Sequence, residues 1–448
     1  MTTIFKIPYR FYRLSSGLWL WAWRRFTGSG LALGGALLVA MGVAIDTDNN
    51  VDYQAVALLL ALLLVAAVSR WPFRARFSAL RQLPRFGTAG TPLPYMVLLR
   101  NLTPHPLRGL TLLENLADSR PGFEEWLAAQ LDETRQLRSF RFSEPRPLNP
   151  FKTAALKDAP VPALPPNQDL EVRLELTPLR RGVLRFTGLT LASSDPLGLC
   201  RALVSVPLPQ TALILPKRYL LPPIALPGLM KYQQGGVALS SSVGQSDEFV
   251  GLRDYRQGDP LRHIHWRSWA KAGKPVVKEF EDEFFVRHAL VLDTFCDYGG
   301  LEVFEEAVSV AASFACAIQT QESLLDLLFV GPESYCFTAG RGLARSDQML
   351  EILASVCACR DRPFSALEHL VLDHINAVSG CICVLLAWDH DRRRFVEKLN
   401  ALGLPLLVLV IVRPGANQLL DPGPLREQPD CFHVLEAGRI EQGLAALK

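Results

Sequence analysis

The sequence predicts a multidomain chain: an N-terminal transmembrane helical hairpin, a β-sandwich-like domain, and a C-terminal doubly wound α/β domain. Three observations predict it. Two uncharged apolar runs stand near the N-terminus, at Phe26–Ile45 and Tyr53–Ser69. Further on, "DLEVRLELTP" alternates with a period of two from Leu170 to Leu176. From His288 onward, short continuous apolar strands alternate with helical stretches. At 448 residues the chain exceeds one ordinary core, and 49% hydrophobic residues with a mean hydropathy of +0.16 suit a mixed membrane and soluble protein. A net charge of +3 gives no overall case for a nucleic-acid binder.

The hairpin expectation rests on length and flanking charge. About 20 apolar residues cross a hydrocarbon core of about 30 Å. Lys6, Arg10, Arg13, Arg24 and Arg25 precede the first run, and Arg70, Arg74, Arg76, Arg81 and Arg85 follow the second. The connecting loop holds only Asp46, Asp48 and Asp52, so the positive-inside rule puts both termini, and with them the soluble domains, in the cytoplasm. Trp19, Trp21, Trp23 and Trp71 flank the runs as interfacial aromatics do, and Gly28, Gly30, Gly34, Gly35 and Gly42 permit close helix packing.

The expected boundaries are a basic cytoplasmic N-terminus at 1–25, the two spans within 26–69, the β-sandwich-like domain at 86–215, a linker at 216–247, a polar junction at 248–287 and the α/β domain at 288–448. Pro121 to Arg138 reads as an amphipathic helix between strands. Nine cysteines, an odd number set mostly among apolar neighbours, do not make a disulfide framework, and neither Cys357-Ala-Cys359 nor Cys381-Ile-Cys383 has zinc-knuckle spacing. In the α/β domain, Asp293 and Asp389 fall at strand ends, where such sheets bind ligands.

The densest polar stretch is "EFVGLRDYRQGDPLRHIHWRSWAKAGKPVVKEFE", Glu248 to Glu281. Its grammar predicts a helix with Asp259 as N-cap, Pro260 in the first turn and Gly273 past the last. On that helix His263 and His265 point about 200° apart and cannot share a metal ion. Asp259, His263 and Arg267 share a face, and His265 approaches Ser268. A catalytic pair can be built from Asp259 and His263 or from His265 and Ser268; the competing reading is a capped junction helix that packs or docks.

These residues resemble the bacterial membrane family known as domain of unknown function 58. The resemblance is carried by Glu248-Phe249, Leu252-Arg253, Tyr255, Gly258-Asp259, Arg262, Ile264, Trp266, Ala270-Lys271 and Val277-Lys278-Glu279, with "LRRGVLRFTGLTLASSDPLGLCR" upstream. It implies a C-terminal von Willebrand factor A-like domain, and as partners a MoxR-type AAA+ ATPase and a transglutaminase-like membrane protein. The Asp-x-Ser-x-Ser of a von Willebrand factor A metal site is here Asp293-Thr294-Phe295-Cys296-Asp297. Phe295 cannot ligate, so a Mg²⁺ site would fall to Asp293, Asp297 and Asp389. The expected function is a membrane-anchored adaptor, not an enzyme, that works with the ATPase on a membrane or envelope client. Docking is expected at Glu248, Arg253, Tyr255, Gly258, Asp259, Arg262, His265, Trp266, Lys278 and Glu279. The alternatives are a metal-assisted hydrolase using the acidic strand-end residues, and an envelope-biogenesis scaffold that needs no ATPase.

Overall fold

In the computed structural model the chain is described at residues 2–43, 50–69, 73, 75–127, 130–131, 152–222, 249–257, 259, 261–280, 286–297, 300–318, 323–340, 346–415 and 420–447. It divides into two compact units, Met1–Lys217 with Glu351–Val356, and Arg218–Leu350 with Cys357–Lys448.

The first unit opens with three helices, α1 (Thr2–Arg25), α2 (Gly28–Val43) and α3 (Asn50–Val68). The segment expected as a plain basic terminus is therefore helical. Between α1 and α2 the chain is pinned to a strand end. The Thr27 N–H donates to the Leu199 carbonyl at 3.0 Å, and the Thr27 hydroxyl accepts from the Gly30 N–H at 3.2 Å, which caps α2. At Gly30 the helix meets Leu199 so closely that a Cβ would lie 1.9 Å from its carbonyl oxygen. Around Gly28, Gly34, Gly35 and Gly42 a Cβ would meet nothing within 4 Å, so one close approach accounts for Gly30 alone.

The transmembrane hairpin is overturned. Among the described residues, no helix is long and apolar enough to cross a membrane. The 16 residues of α2 span about 24 Å at about 1.5 Å per residue, short of the hydrocarbon thickness. Helix α3 has 19 residues but spends its first turn and a half on Asn50, Asp52 and Gln54, leaving an apolar part no longer than α2. The expected loop residues Asp46 and Asp48, and Trp71, lie outside the described residues.

Two sheets follow. One has β1 (Phe77–Gln82), β3 (Leu93–Asn101), β7 (Asp169–Pro178) and β5 (Ala154–Leu156) in the order β1-β3-β7-β5. The other has β2 (Phe86–Thr88), β9 (Arg201–Leu215), β8 (Gly182–Ser194), β4 (Leu110–Leu116) and β6 (Ala159–Val161) in the order β2-β9-β8-β4-β6. Alternation along β3 and β7 buries Tyr95, Val97, Leu99, Val172, Leu174 and Leu176. They share one core with Leu112, Phe186, Leu189 and Leu191 of the second sheet, the arrangement that lets two half-apolar sheets dry each other. Arg81 of β1 reaches across this core to Glu114 of β4 (Nη2 to Oε1, 2.5 Å), and the Tyr95 hydroxyl donates to the same carboxylate at 2.7 Å. Burial pushes the Glu114 carboxyl upward, and these two donors oppose it. Of the helix expected between Pro121 and Arg138, residues 123–127 and 130–131 are helical and most of the rest lies outside the described residues.

The second unit holds a two-stranded antiparallel piece, β10 (Phe249–Asp254) with β11 (Val276–Phe280), and a six-stranded sheet. The six strands are β12 (Val286–Leu292), β13 (Ser323–Val330), β14 (Ser334–Ala339), β15 (Gly380–Leu385), β16 (Leu406–Val412) and β17 (Phe432–Glu436). Their spatial order is β14-β13-β12-β15-β16-β17, parallel except for the edge strand β14. The strands are buried along nearly their whole length, as strands covered on both faces must be. On one face Ala289, Val291, Cys381 and Cys383 pack with Leu367 and Val371 of one helix (Ser365–His374) and Phe395 and Leu399 of another (His390–Ala401). A third helix, Leu301–Ala317, packs against β12, β15 and β16 and is buried from Val303 to Ala315 along its inner face.

Substitution of Gly30 by Ala must displace Leu199 or α2, because the obstacle is backbone. The expected cost is about 1–3 kcal/mol, read as a lowered Tm of the full chain, whereas Gly34→Ala is expected to leave Tm unchanged or slightly raised.

Candidate functional site

The order of the strands reverses between β12 and β15, one running outward to β13 and the other to β16. A crevice beyond the carboxyl ends of such a pair is where open α/β sheets bind ligands. Asp293, the residue after β12, sits there and is fully buried. Its Oδ1 accepts from the Phe295 N–H at 2.9 Å, and its Oδ2 from the Leu386 N–H at 3.0 Å and from Arg392 Nε at 2.6 Å. Asp389 caps the helix His390–Ala401 by accepting from the Arg392 N–H at 3.0 Å. Its other oxygen takes Arg392 Nη1 at 2.5 Å, and Arg392 Nη2 donates to the Phe295 carbonyl at 3.1 Å. The guanidinium carbon stands 4.8 Å from the Phe364 ring centre.

Two of the three expected metal ligands, Asp293 and Asp389, are thus brought together, but around an internal cation. The third, Asp297, is exposed and contributes its carbonyl to the Gly300 N–H at 2.9 Å. Among the described residues no group of three or more His, Cys, Asp and Glu side chains is placed to hold a metal ion. Burial pushes the Asp293 carboxyl upward, opposed by Arg392 and the two backbone donors. Burial also disfavours the Arg392 charge, and Asp293 and Asp389 more than restore it. Arg392 itself was not singled out by sequence reasoning; its position three residues after a capping Asp, where its side chain can turn back into the crevice, is the signal.

The polar signature lies on the β10–β11 piece and the segment between its strands. The predicted helix from Asp259 is not formed as such. A 3₁₀ turn, Leu261–His263, comes first, and the α-helix, which we call α4, is Trp266–Ala272 with His265 at its N-cap and Gly273 in the left-handed conformation after it. The cause is a pull toward strand pairing: His265 donates its N–H to the Val276 carbonyl at 2.9 Å, and Ile264 bridges Val277, so both extend the edge of β11 and cannot be helical.

Asp259 consequently is not an N-cap, and the expected face of Asp259, His263 and Arg267 does not form. The Asp259 carboxylate holds a bidentate pair with Arg253, at 2.7 and 2.9 Å, and accepts from the Arg256 N–H at 2.8 Å. Those hydrogen bonds, Arg253 first, lower its pKa to about 2. Tyr255 is half-buried and closes the loop by donating its N–H to the Pro275 carbonyl at 3.0 Å. The His265 and Ser268 approach is found, with Nδ1 and Oγ 2.7 Å apart. Among the described residues no carboxylate holds the other ring nitrogen, so the orienting group of a nucleophilic triad is missing. Trp266 stacks on Trp269, ring centres 5.2 Å apart, and is 65% exposed; Lys278 is also exposed. Glu248, Gly258 and the side chains of Arg262 and Glu279 lie outside the described residues.

Residues 251–372 match the family model described as "Protein of unknown function DUF58". The chain is 26% identical over 191 residues to the uncharacterized protein YeaD of Bacillus subtilis (strain 168), a match covering 42% of this chain and 46% of that protein. Among solved structures, the CARDB domain of the PF1109 protein from Pyrococcus furiosus is 12% identical, with 31% of this chain and 93% of that one covered and a TM-score of 0.18. A β-glucosidase from Listeria innocua is 16% identical over 30% of this chain and 16% of its own, with a TM-score of 0.15. These two likenesses carry no argument, and they lend nothing to the von Willebrand factor A-like expectation.

Two outcomes follow from this geometry. Arg392→Ala strands a buried carboxylate and is expected to cost about 3–5 kcal/mol in urea unfolding, part of which Arg392→Ala/Asp293→Asn recovers by removing the charge while keeping an acceptor. For Asp259, the folded pKa lies below the unfolded value, so its contribution is fully present above about pH 4 and is lost as pH falls toward about 2. The Tm difference between wild type and Asp259→Asn is therefore expected to shrink over that interval in a pH series of thermal melts.

Proposed function

We propose that this chain, with its DUF58 segment at residues 251–372, is a docking adaptor and not an enzyme. The observation that carries the reading is the exposure of Trp266, stacked on Trp269 in a signature whose Arg253 and Asp259 are spent on their own loop. Leu261, 69% exposed, and Leu252 add apolar surface, and Arg256, Arg267 and Lys271 are exposed in the same segment. Trp and Arg are the residues that most often dominate binding energy at protein interfaces, and basic neighbours favour an acidic partner surface.

The partner we propose is a MoxR-type AAA+ ATPase, acting with a transglutaminase-like membrane protein on an envelope client at the cytoplasmic face of the bacterial inner membrane. The family resemblance of the signature supports that choice of partner. Against a metal-assisted hydrolase stands the Arg392 guanidinium, which fills the position between Asp293 and Asp389.

Immobilised ATPase and purified full chain give the test. Trp266→Ala is expected to weaken binding tenfold or more, in line with about 2 kcal/mol or more for a hot-spot aromatic, with Tm unchanged because the side chain is mostly in water. Equal binding by wild type and variant, or none by either, would remove this reading.

A further inference from the structure

We infer that α1 lies in the plane of an anionic lipid surface, with one face inserted among the acyl chains and the other packed on its own β domain. The proposal concerns a surface of the first unit and stands independently of the docking reading. Along α1, Ile7, Phe11, Leu14, Leu18 and Trp21 recur at steps of four and three, which sets them in one stripe. They are 73%, 73%, 68%, 67% and 51% exposed.

The opposite face is already used. The Tyr9 hydroxyl donates to the Pro121 carbonyl at 3.1 Å, Tyr9 and Tyr12 pack on Trp126, and Arg120 donates to the Arg13 carbonyl at 3.2 Å. The stripe therefore cannot turn inward without breaking these contacts. Leu38, Val39, Leu58 and Leu64 of α2 and α3 are exposed as well, and among the described residues no helix is long and apolar enough to carry the insertion through a bilayer.

Charge decides the occupant. Helix α1 carries Lys6, Arg10, Arg13, Arg24 and Arg25 and no acid, with Lys6 and Arg10 exposed beside the stripe and Trp19, Trp21 and Trp23 more than half exposed near its end. A second copy meeting this face would bring like charges together. Anionic headgroups over acyl chains match both the basic flank and the apolar stripe, and tryptophans favour that boundary.

The test is flotation of the purified full chain with vesicles of phosphatidylglycerol and phosphatidylcholine, or of phosphatidylcholine alone. Wild type is expected to float with the anionic vesicles and to be displaced by salt. Phe11→Glu/Leu18→Glu is expected to lower partitioning tenfold or more with its circular dichroism unchanged. Lys6→Glu/Arg10→Glu, which alters only exposed polar positions, is expected to lose the preference for anionic vesicles. Absence of flotation, equal flotation by wild type and both variants, or a lipid-free oligomer that the stripe variant dissolves in light scattering would overturn the proposal.

Discussion

The Arg392 guanidinium, clasped between Asp293 and Asp389, is the constraint from which the reading of the α/β domain follows. It joins the end of β12 to the N-terminal turn of the helix after β15, across the point where the strand order reverses. A fully buried carboxylate needs compensation, and three N–H donors provide it at Asp293. The same arrangement takes the one place in such a sheet where a substrate or metal ion would otherwise be expected. Outside the crevice, the polar signature exposes Trp266 at the surface.

A similar economy runs through the signature itself. Charge-rich stretches invite catalytic readings, yet Arg253, Asp259 and the Arg256 N–H satisfy one another and fix the loop that carries α4. In the β domain, Arg81, Glu114 and Tyr95 link the two sheets in the same way. In each case charged side chains act as internal fasteners.

Much of the architecture was legible in the sequence because its signals are local. Period two gave β7, and the continuous apolar runs after His288 gave the alternation of buried strands and helices to which β12, β13, β15 and β16 belong. Two errors came from competition that a local reading does not see. Asp259 and Pro260 have the grammar of a helix start, but Ile264 and His265 gain more by pairing with β11, so the helix begins later. The run Phe26–Ile45 counted Phe26 and Thr27, which precede α2, and Tyr53 and Gln54 of the second run belong to the polar start of α3, so both apolar segments are shorter than they read. At the candidate site Asp293 and Asp389 were legible as strand-end acids. Arg392 was not, since only the fold brings a residue 99 positions away from Asp293 into its hydrogen-bond range.

Crystals of the full chain grown with Mn²⁺, and the anomalous signal collected from them, test the central claim most directly. The account predicts no Mn²⁺ at Asp293, with Arg392 still bonded to both carboxylates. A Mn²⁺ ion held by Asp293 and Asp389, with Arg392 turned away, would contradict it and return the crevice to metal chemistry.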